Sequence, residues 1–279
     1  MRTDEIDLVM FGPEHIDGAV SLSQQASWPH RREDWQMMLE LSDGTVVLDV
    51  NGRVVGTILL TRYGQDCAAI NMVIVDEAMR GHGLGRKLME RAFAFAGGRP
   101  LRLVATAEGL PLYKKLGFAE CGTIRQHQGE ARLVAPSRGV VLATGDEIAA
   151  IKRLDREAFG ADRSALIDHL ASAGKFAMIR RDGVVTGYAA LRAFGRGEVI
   201  GPIVATNADE AKALIAFFAA SRTGAFLRID TDSDSGLADW LETIGLQHVG
   251  GGIAMSNHAS KKPDHPRVRT FALASQALG

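Results

Sequence analysis

Arg80-Gly81-His82-Gly83-Leu84-Gly85 follows the apolar run Ala68-Ala69-Ile70-Asn71-Met72-Val73-Ile74-Val75 and leads into Leu84-Gly85-Arg86-Lys87-Leu88-Met89-Glu90-Arg91-Ala92-Phe93. The run predicts a strand. The stretch after the glycines predicts a helix, with a partial apolar stripe through Leu84, Leu88, Arg91, Ala92 and Phe95. Strand, glycine loop and helix in that order make an anion site. A helix N-terminus offers unpaired N–H groups and partial positive charge, and glycine lets the backbone take positive φ and approach a ligand. A pyrophosphate fits. The dinucleotide fingerprint does not, because the glycines at 81, 83 and 85 are in the wrong frame and no acidic residue follows at the required distance. The Walker loop does not, because Leu88 stands where its hydroxyl belongs. A glycine-rich turn capping a helix is the plain alternative.

A third pattern, R/Q-x-x-G-x-G/A, matches at Arg80, Gly83 and Gly85 and resembles the acetyl-CoA loop of the GNAT acetyltransferases. About twenty-five residues on, Leu112-Tyr113-Lys114-Lys115-Leu116-Gly117-Phe118 resembles the GNAT segment L-Y-x-x-x-G-F, at the family's spacing. The two motifs cover residues 68–123.

Length and composition agree with this. The chain has 279 residues, long for one ordinary domain and comfortable for two, and is 46% hydrophobic. A net charge of −1 offers no field for nucleic acid or anionic lipid. There is no basic and apolar leader and no apolar run near the roughly eighteen residues of a membrane span. Cys67 and Cys121 cannot make a disulfide framework. A cytoplasmic location is the expectation.

The pattern of elements repeats. The first half reads strand 6–11, helix 14–26, helix 32–41, strands 45–50 and 54–61 joined by a two-residue turn at Asn51-Gly52, strand 68–75, helix 84–96, strand 101–105, a short helix at Tyr113 and a strand at 119–124. Ala135-Pro136-Ser137-Arg138-Gly139 reads as a linker. The same order restarts at 140 and runs to strands at 252–255 and 269–274. We read a tandem duplication, with units 1–134 and 138–279. The expected class is α/β (α+β): two GNAT-like domains, each a mixed, mostly antiparallel sheet flanked by helices. Laying residues 84–93 on 210–219 puts Arg80 over Thr206, Gly83 over Asp209 and Gly85 over Ala211. The second copy has lost its glycines and gained acids that repel a pyrophosphate. Laying Leu116-Gly117-Phe118 on Ile244-Gly245-Leu246 puts Tyr113 over Leu241. The first copy is therefore expected to hold the cofactor, the second to be degenerate. Asp155 through Arg163, Gly187-Tyr188, Ile200 through Ala205 and Phe271 through Ser275 resemble the C-terminal domain of the YitH-type tandem acetyltransferases.

The resemblance implies N-acetyl transfer from acetyl-CoA to a primary amine, most simply a small molecule, by direct attack in a ternary complex. An amine of pKa about 10.4 is neutral in only roughly one molecule in 2,500 at pH 7, so it must lose a proton. It implies that Val73, Ile74 and Val75 line the pantetheine arm, with the Val75 N–H a candidate oxyanion donor. Arg80, Gly81, His82, Gly83, Leu84, Gly85 and Arg86 would hold the pyrophosphate. Thr106, where many members carry Asn, would be a cofactor contact. Tyr113 is the candidate general acid for the departing thiolate; a core tyrosine is the other reading. The general base is open among Glu40, Asp76, Glu108, His82 and water. Trp28, with Pro29 and Trp35, could shape the acceptor pocket, and Asp155, Asp162, Arg163 and Tyr188 could line it from the second half; core packing and an ion pair explain these residues equally. His258 and His265 match no metal spacing, and no metal is expected. The protein is expected to be a monomer or homodimer. Two other readings are a non-catalytic CoA-binding sensor and an aminoacyl-tRNA-dependent amidotransferase, the latter wanting a basic groove the charge balance lacks.

Overall fold

The computed structural model describes residues 6–258 and 266–279. The first half comprises β1 (Ile6–Met10), α1 (Ile16–Gln25), α2 (Arg32–Glu40), β2 (Asp43–Asp49), β3 (Val54–Tyr63), β4 (Cys67–Val75), α3 (Leu84–Ala96), β5 (Leu101–Ala105), α4 (Leu110–Lys115) and β6 (Ala119–Glu130). The second comprises β7 (Val140–Leu142), α5 (Ile148–Phe159), α6 (Ser164–Ala173), β8 (Gly174–Arg181), β9 (Val184–Phe194), β10 (Gly197–Ala205), α7 (Ala208–Ala219), β11 (Phe226–Asp232), α8 (Ala238–Thr243), β12 (Gln247–Ser256) and β13 (Arg269–Ala272).

One expected turn differs. The β2–β3 hairpin is not closed by two residues. Gly52 N–H donates to the Asp49 carbonyl at 2.8 Å and Asp49 N–H to that of Arg53 at 3.0 Å, leaving a three-residue loop with Gly52 at φ +75°. The Asp49 carboxylate selects this longer turn by accepting the N–H groups of Asn51 and Arg53, each at 3.0 Å.

Among the described residues, all thirteen strands form one sheet, ordered β1-β2-β3-β4-β5-β12-β6-β11-β13-β10-β9-β8-β7. Of the pairings described, β4–β5 and β10–β11 are parallel and the rest antiparallel. The order contains a reciprocal exchange. β12 of the second half lies between β5 and β6 of the first, and β6 lies between β12 and β11. The sheet therefore does not divide where the sequence repeat does. Beyond β6, Ala131 N–H already donates to Ala225 and Arg132 N–H to Ile244.

The cores follow the same logic. α3 and α4 cover one face of the first half through Leu84, Leu88, Met89 and Tyr113. α7 and α8 cover the equivalent face of the second through Leu214, Phe218 and Leu241. The opposite faces share a single core, in which Trp35, Leu59 and Met72 join Ile151, Leu154, Leu166 and Tyr188. A fully buried leucine or isoleucine is worth about 1.5–3 kcal/mol, so this shared core welds the halves.

Candidate functional site

β4 carries a bulge. Thr57 pairs with Ile74 and Leu59 with Asn71, so two residues, Met72 and Val73, oppose Ile58 alone. Met72 has φ +51°, unusual for a non-glycine residue, and the buried Thr57 hydroxyl holds it by donating to the Met72 carbonyl at 2.7 Å. The bend carries β4 away from β5. Their parallel pairing stops after Ala68–Leu101 and Ala69–Arg102, opening a slot beside the C-terminal half of β4. Asp76 N–H donates to the Val55 carbonyl of β3. By antiparallel alternation the backbone groups of Val75 then point into the slot and those of Ile74 toward β3. Of the three expected strand contacts, Val73 and Val75 offer main-chain groups. Ile74 does not; its backbone serves the β3 ladder and its side chain the shared core.

Eight residues, Asp76 to Gly83, connect β4 to α3. Gly81 and Gly83 have φ +81° and +80° and open space where a Cβ would stand, a main-chain cradle. Gly83 is the N-cap of α3 and supplies no side-chain cap, so the first N–H groups of the helix are free for an anion. Gly85 has a different part: a Cβ there would sit 3.2 Å from Leu112, so it lets α4 pack against the helix start. The exposed Arg80 stands at the mouth, its Nε 3.5 Å from the Val75 carbonyl and a guanidinium nitrogen 3.6 Å from Glu108. His82 is exposed and folds back on the Arg80 carbonyl at 3.0 Å. Arg86 is exposed and pairs with Glu90 at 3.3 Å.

A sequence profile of the GNAT acetyltransferase family matches residues 14–118, and one of the acetyltransferase (GNAT) domain matches residues 151–271. The chain is 30% identical over 281 residues to the N-acetyltransferase YitH of Bacillus subtilis, covering 98% of both. It is 25% identical to the holothin acyltransferase of a Pseudoalteromonas species, over 95% of this chain and 99% of that one. This chain belongs to the GNAT acetyltransferase family. It is an acyltransferase. In fold it matches a Pyrococcus horikoshii protein assigned as an acetyltransferase (TM-score 0.81, 21% identity, 100% and 98% coverage). It also matches a tandem GNAT protein of the clavulanic acid pathway (TM-score 0.62, 14% identity, 92% and 100% coverage). GNAT enzymes use acetyl-CoA and act on amines; the cradle and the slot of this acetyltransferase fit that co-substrate's diphosphate and its amide-bearing arm.

The second half of the acetyltransferase has neither feature. Only Thr206 and Asn207 separate β10 from α7. The expected overlay of Gly83 on Asp209 is thus two residues out, because the loop is shorter; the two N-caps, Gly83 and Asn207, are the true equivalents. α7 caps itself. Asn207 accepts the Glu210 N–H at 2.9 Å, and the Glu210 carboxylate takes the Thr206 N–H at 3.2 Å and hydroxyl at 2.6 Å and pairs with Arg181 at 2.7 Å. The slot between β10 and β11 is filled by β13, which pairs with both strands. The overlay of Tyr113 on Leu241 holds: Phe118 N–H donates to Tyr113 and Leu246 N–H to Leu241, both at 3.0 Å.

Tyr113 is buried, edge-on to Phe118 at 6.1 Å. Burial pushes its phenol up to about 12, and its hydroxyl makes no hydrogen bond to another described residue. Pro111 sits in the first turn of α4. Gly109 leaves room for the Tyr113 ring, which a Cβ there would meet at 2.9 Å. Thr106 spends its hydroxyl accepting the Gly109 N–H at 3.2 Å, so it shapes the turn. Among the open bases, Asp76 is buried, caps Ala78 at 2.9 Å and pairs with Arg53 at 2.8 Å. Glu40 lies 3.4 Å from His169 and Glu108 3.6 Å from Arg80, both carboxylates largely exposed.

Three of the four expected acceptor residues of the second half, all but Asp162, are brought together, but into a closed knot. Asp155 is 1% exposed, Arg163 2% and Tyr188 0%. Arg163 donates to both Asp155 oxygens at 2.6 and 3.1 Å and to the Gly279 carbonyl at 2.6 Å, and the Tyr188 hydroxyl donates to Asp155. Asp162 caps α6 by accepting the Ser164 N–H at 2.9 Å. These residues satisfy one another and tie down the tail. Trp35 is also core, its indole N–H on Ser23 at 3.0 Å. Trp28 stays at the seam, 5.7 Å from the His30 ring. His258 is exposed; His265 lies outside the described residues. Among the described residues no cluster of metal-binding side chains forms, and no helix is long and apolar enough to cross a membrane.

Sequence reading missed His30. It lies against Trp28, Trp35 and Phe194. Its pKa falls from 6.5 to about 4, through burial first, with Asp34 opposing and Arg228 and Arg192 adding to the drop. His30 is therefore neutral in the folded state at pH 7. The folded pKa lies below the unfolded one, so this stability is complete above pH 6.5 and drains as pH falls toward 4. It amounts to about 3 kcal/mol in all, and about 2 kcal/mol between pH 7 and pH 5. Urea denaturation at those two pH values should show that loss in the parent protein and a flatter dependence in His30→Gln.

Proposed function

We propose that this chain transfers an acetyl group from acetyl-CoA to a primary amine of a small molecule, by direct attack in a ternary complex. The unit 1–134 supplies the cofactor site and the unit 138–279 is a degenerate copy that helps build the acceptor site at the seam. The observation that carries this is the contrast between the copies: an open slot with an uncapped glycine cradle in one, a slot filled by β13 and a self-capped helix in the other.

Acetyl-CoA supplies the activated thioester. The Gly81–Arg86 main chain receives the diphosphate, backed by the α3 dipole. Val73 and Val75 align the arm along β4, and the Val75 N–H is the candidate donor to the carbonyl oxygen that gains charge. Tyr113, held protonated by burial, donates a hydrogen bond toward the sulfur side of the slot. Asp76 is spent on Ala78 and Arg53, and Glu40 and Glu108 are open surface carboxylates, which favours water carrying the amine proton away. The proposed setting is the cytoplasm, without a metal, as a monomer or homodimer.

An amine-library screen with thiol-release detection tests this. A hit should depend on Tyr113: Tyr113→Phe should lower kcat by about 100-fold or more, since one general acid–base contribution is worth about 10²–10⁴-fold, with little change in acetyl-CoA affinity. An unchanged rate would remove Tyr113 from the mechanism.

A further inference from the structure

We propose that the amine acceptor also carries a carboxylate, and that Arg192 of β9 is the side chain that receives it, in a pocket built by both halves. This rests on the reading of the first half as the catalytic unit.

Arg192 is 5% exposed, yet its charge is not matched. Its Nε has no hydrogen-bond partner among the described residues. Its other nitrogens reach only the carbonyls of Ala193 at 3.3 Å and Ala274 at 3.4 Å. The nearby carboxylate, Asp34, is 4.0 Å away and already committed. It accepts the Arg31 main-chain N–H at 2.9 Å, two Arg31 guanidinium contacts at 2.9 and 3.1 Å, and the Gly195 N–H at 3.0 Å. Arg228, the next arginine, has its own carboxylate in Asp230 at 2.9 and 3.1 Å. Three arginines (31, 192 and 228) thus face two aspartates (34 and 230), and the surplus guanidinium is the most buried of the three. Burial pulls its pKa down to about 10. A buried cation that lacks an anion is costly, and a guanidinium edge with a free N–H matches a carboxylate in shape and charge.

The polar row on this face runs from Arg192 toward the slot. Strand register sets Arg192, Val199, Arg228 and Gln128 opposite one another across β9, β10, β11 and β6, on one sheet face. From there Gln276 continues the polar row, donating to Asp230 at 3.0 Å and Gln126 at 3.2 Å. Its Oε1 comes within 3.4 Å of where a Gly252 Cβ would stand, and the Ala105 carbonyl at the end of β5 within 2.9 Å of the same point. β5 is one wall of the slot. The floor there is Gly250-Gly251-Gly252 of β12, which brings no side chain. Phe194 lies between Arg192 at 4.9 Å and Arg228 at 5.1 Å, and the His30 ring links it to Trp28, so apolar surface adjoins the guanidinium.

The test uses the full chain saturated with CoA and follows tryptophan fluorescence, since Trp28 and Trp35 flank the seam. The probes are phenylacetate and its neutral isostere phenylacetamide. Phenylacetate should quench saturably and phenylacetamide should not. Arg192→Met should weaken phenylacetate at least tenfold, leave acetyl-CoA affinity by calorimetry unchanged, and keep or raise the melting temperature; Arg192→Lys, which keeps charge without the fork, should fall between. Equal quenching by both probes, none by either, or an unchanged phenylacetate affinity in Arg192→Met overturns the proposal, as does a lowered melting temperature with the affinity retained in Arg192→Lys. Phenylacetate binding in a protein that fails to bind acetyl-CoA would instead sink the acetyl-transfer reading and leave the carboxylate site standing.

Discussion

Gly83→Glu should all but eliminate the proposed acetyl-CoA binding. Calorimetry of the parent protein should give one site per chain, and in the variant the affinity should fall by at least about a hundredfold. Two effects act together. Gly83 sits at φ +80° with open space around its missing Cβ, so the cost of a side chain there is conformational and not steric, about 1–2 kcal/mol for a left-handed residue. The added carboxylate lies at the uncapped start of α3, where a diphosphate is expected. Two like charges about 5 Å apart near a protein surface repel by about 3 kcal/mol, and that is about a hundredfold. Gly83→Ala isolates the backbone part and should cost at most about 5–30-fold, the equivalent of that 1–2 kcal/mol. Two equal sites per chain would show that the second copy also binds, against the filled β10–β11 slot and the self-capped α7.

Residues 1–134 expressed alone should not fold cooperatively, although they span a whole repeat. Removing the second half takes β12 from between β5 and β6, where it makes four residue pairings with β5 and nine with β6. It also strips β11 from the other edge of β6 and empties half of the shared core. The exposed edges and apolar face favour aggregation. Cutting the chain at an engineered protease site in the linker near Pro136 should do much less, since Leu133 beside it is 83% exposed and the exchanged strands still hold. The cut halves should co-elute on gel filtration until urea is added. A sharp, full-amplitude unfolding transition from residues 1–134 alone would show that the exchange is dispensable.

Local patterns were legible where an element's own residues decide it. α3 and β5 have the bounds their sequences predict, and Gly81 and Gly83 take the positive φ their composition invites. The two exchanged strands were the least legible. β6 was expected at 119–124 and runs from Ala119 to Glu130; β12 was expected at 252–255 and runs from Gln247 to Ser256. Arg125-Gln126-His127-Gln128 of β6 and Gly250-Gly251-Gly252 of β12 show no strand alternation in sequence, because what holds them extended is a neighbour on each side, both supplied by the other half.

The sequence alone determined that a glycine turn precedes α3, that the chain repeats, and that only one copy keeps the turn and the tyrosine. These follow from short-range chemistry: glycine's φ range, helix-end dipoles and apolar spacing. Only the tertiary structure decided that the copies trade strands, that β13 stops the second slot, that Asp155, Arg163 and Tyr188 close on one another, and that Arg192 is left with charge to spare. Each of these depends on which distant groups meet once water has been expelled, and pairing at that range is not written in the spacing of neighbouring residues.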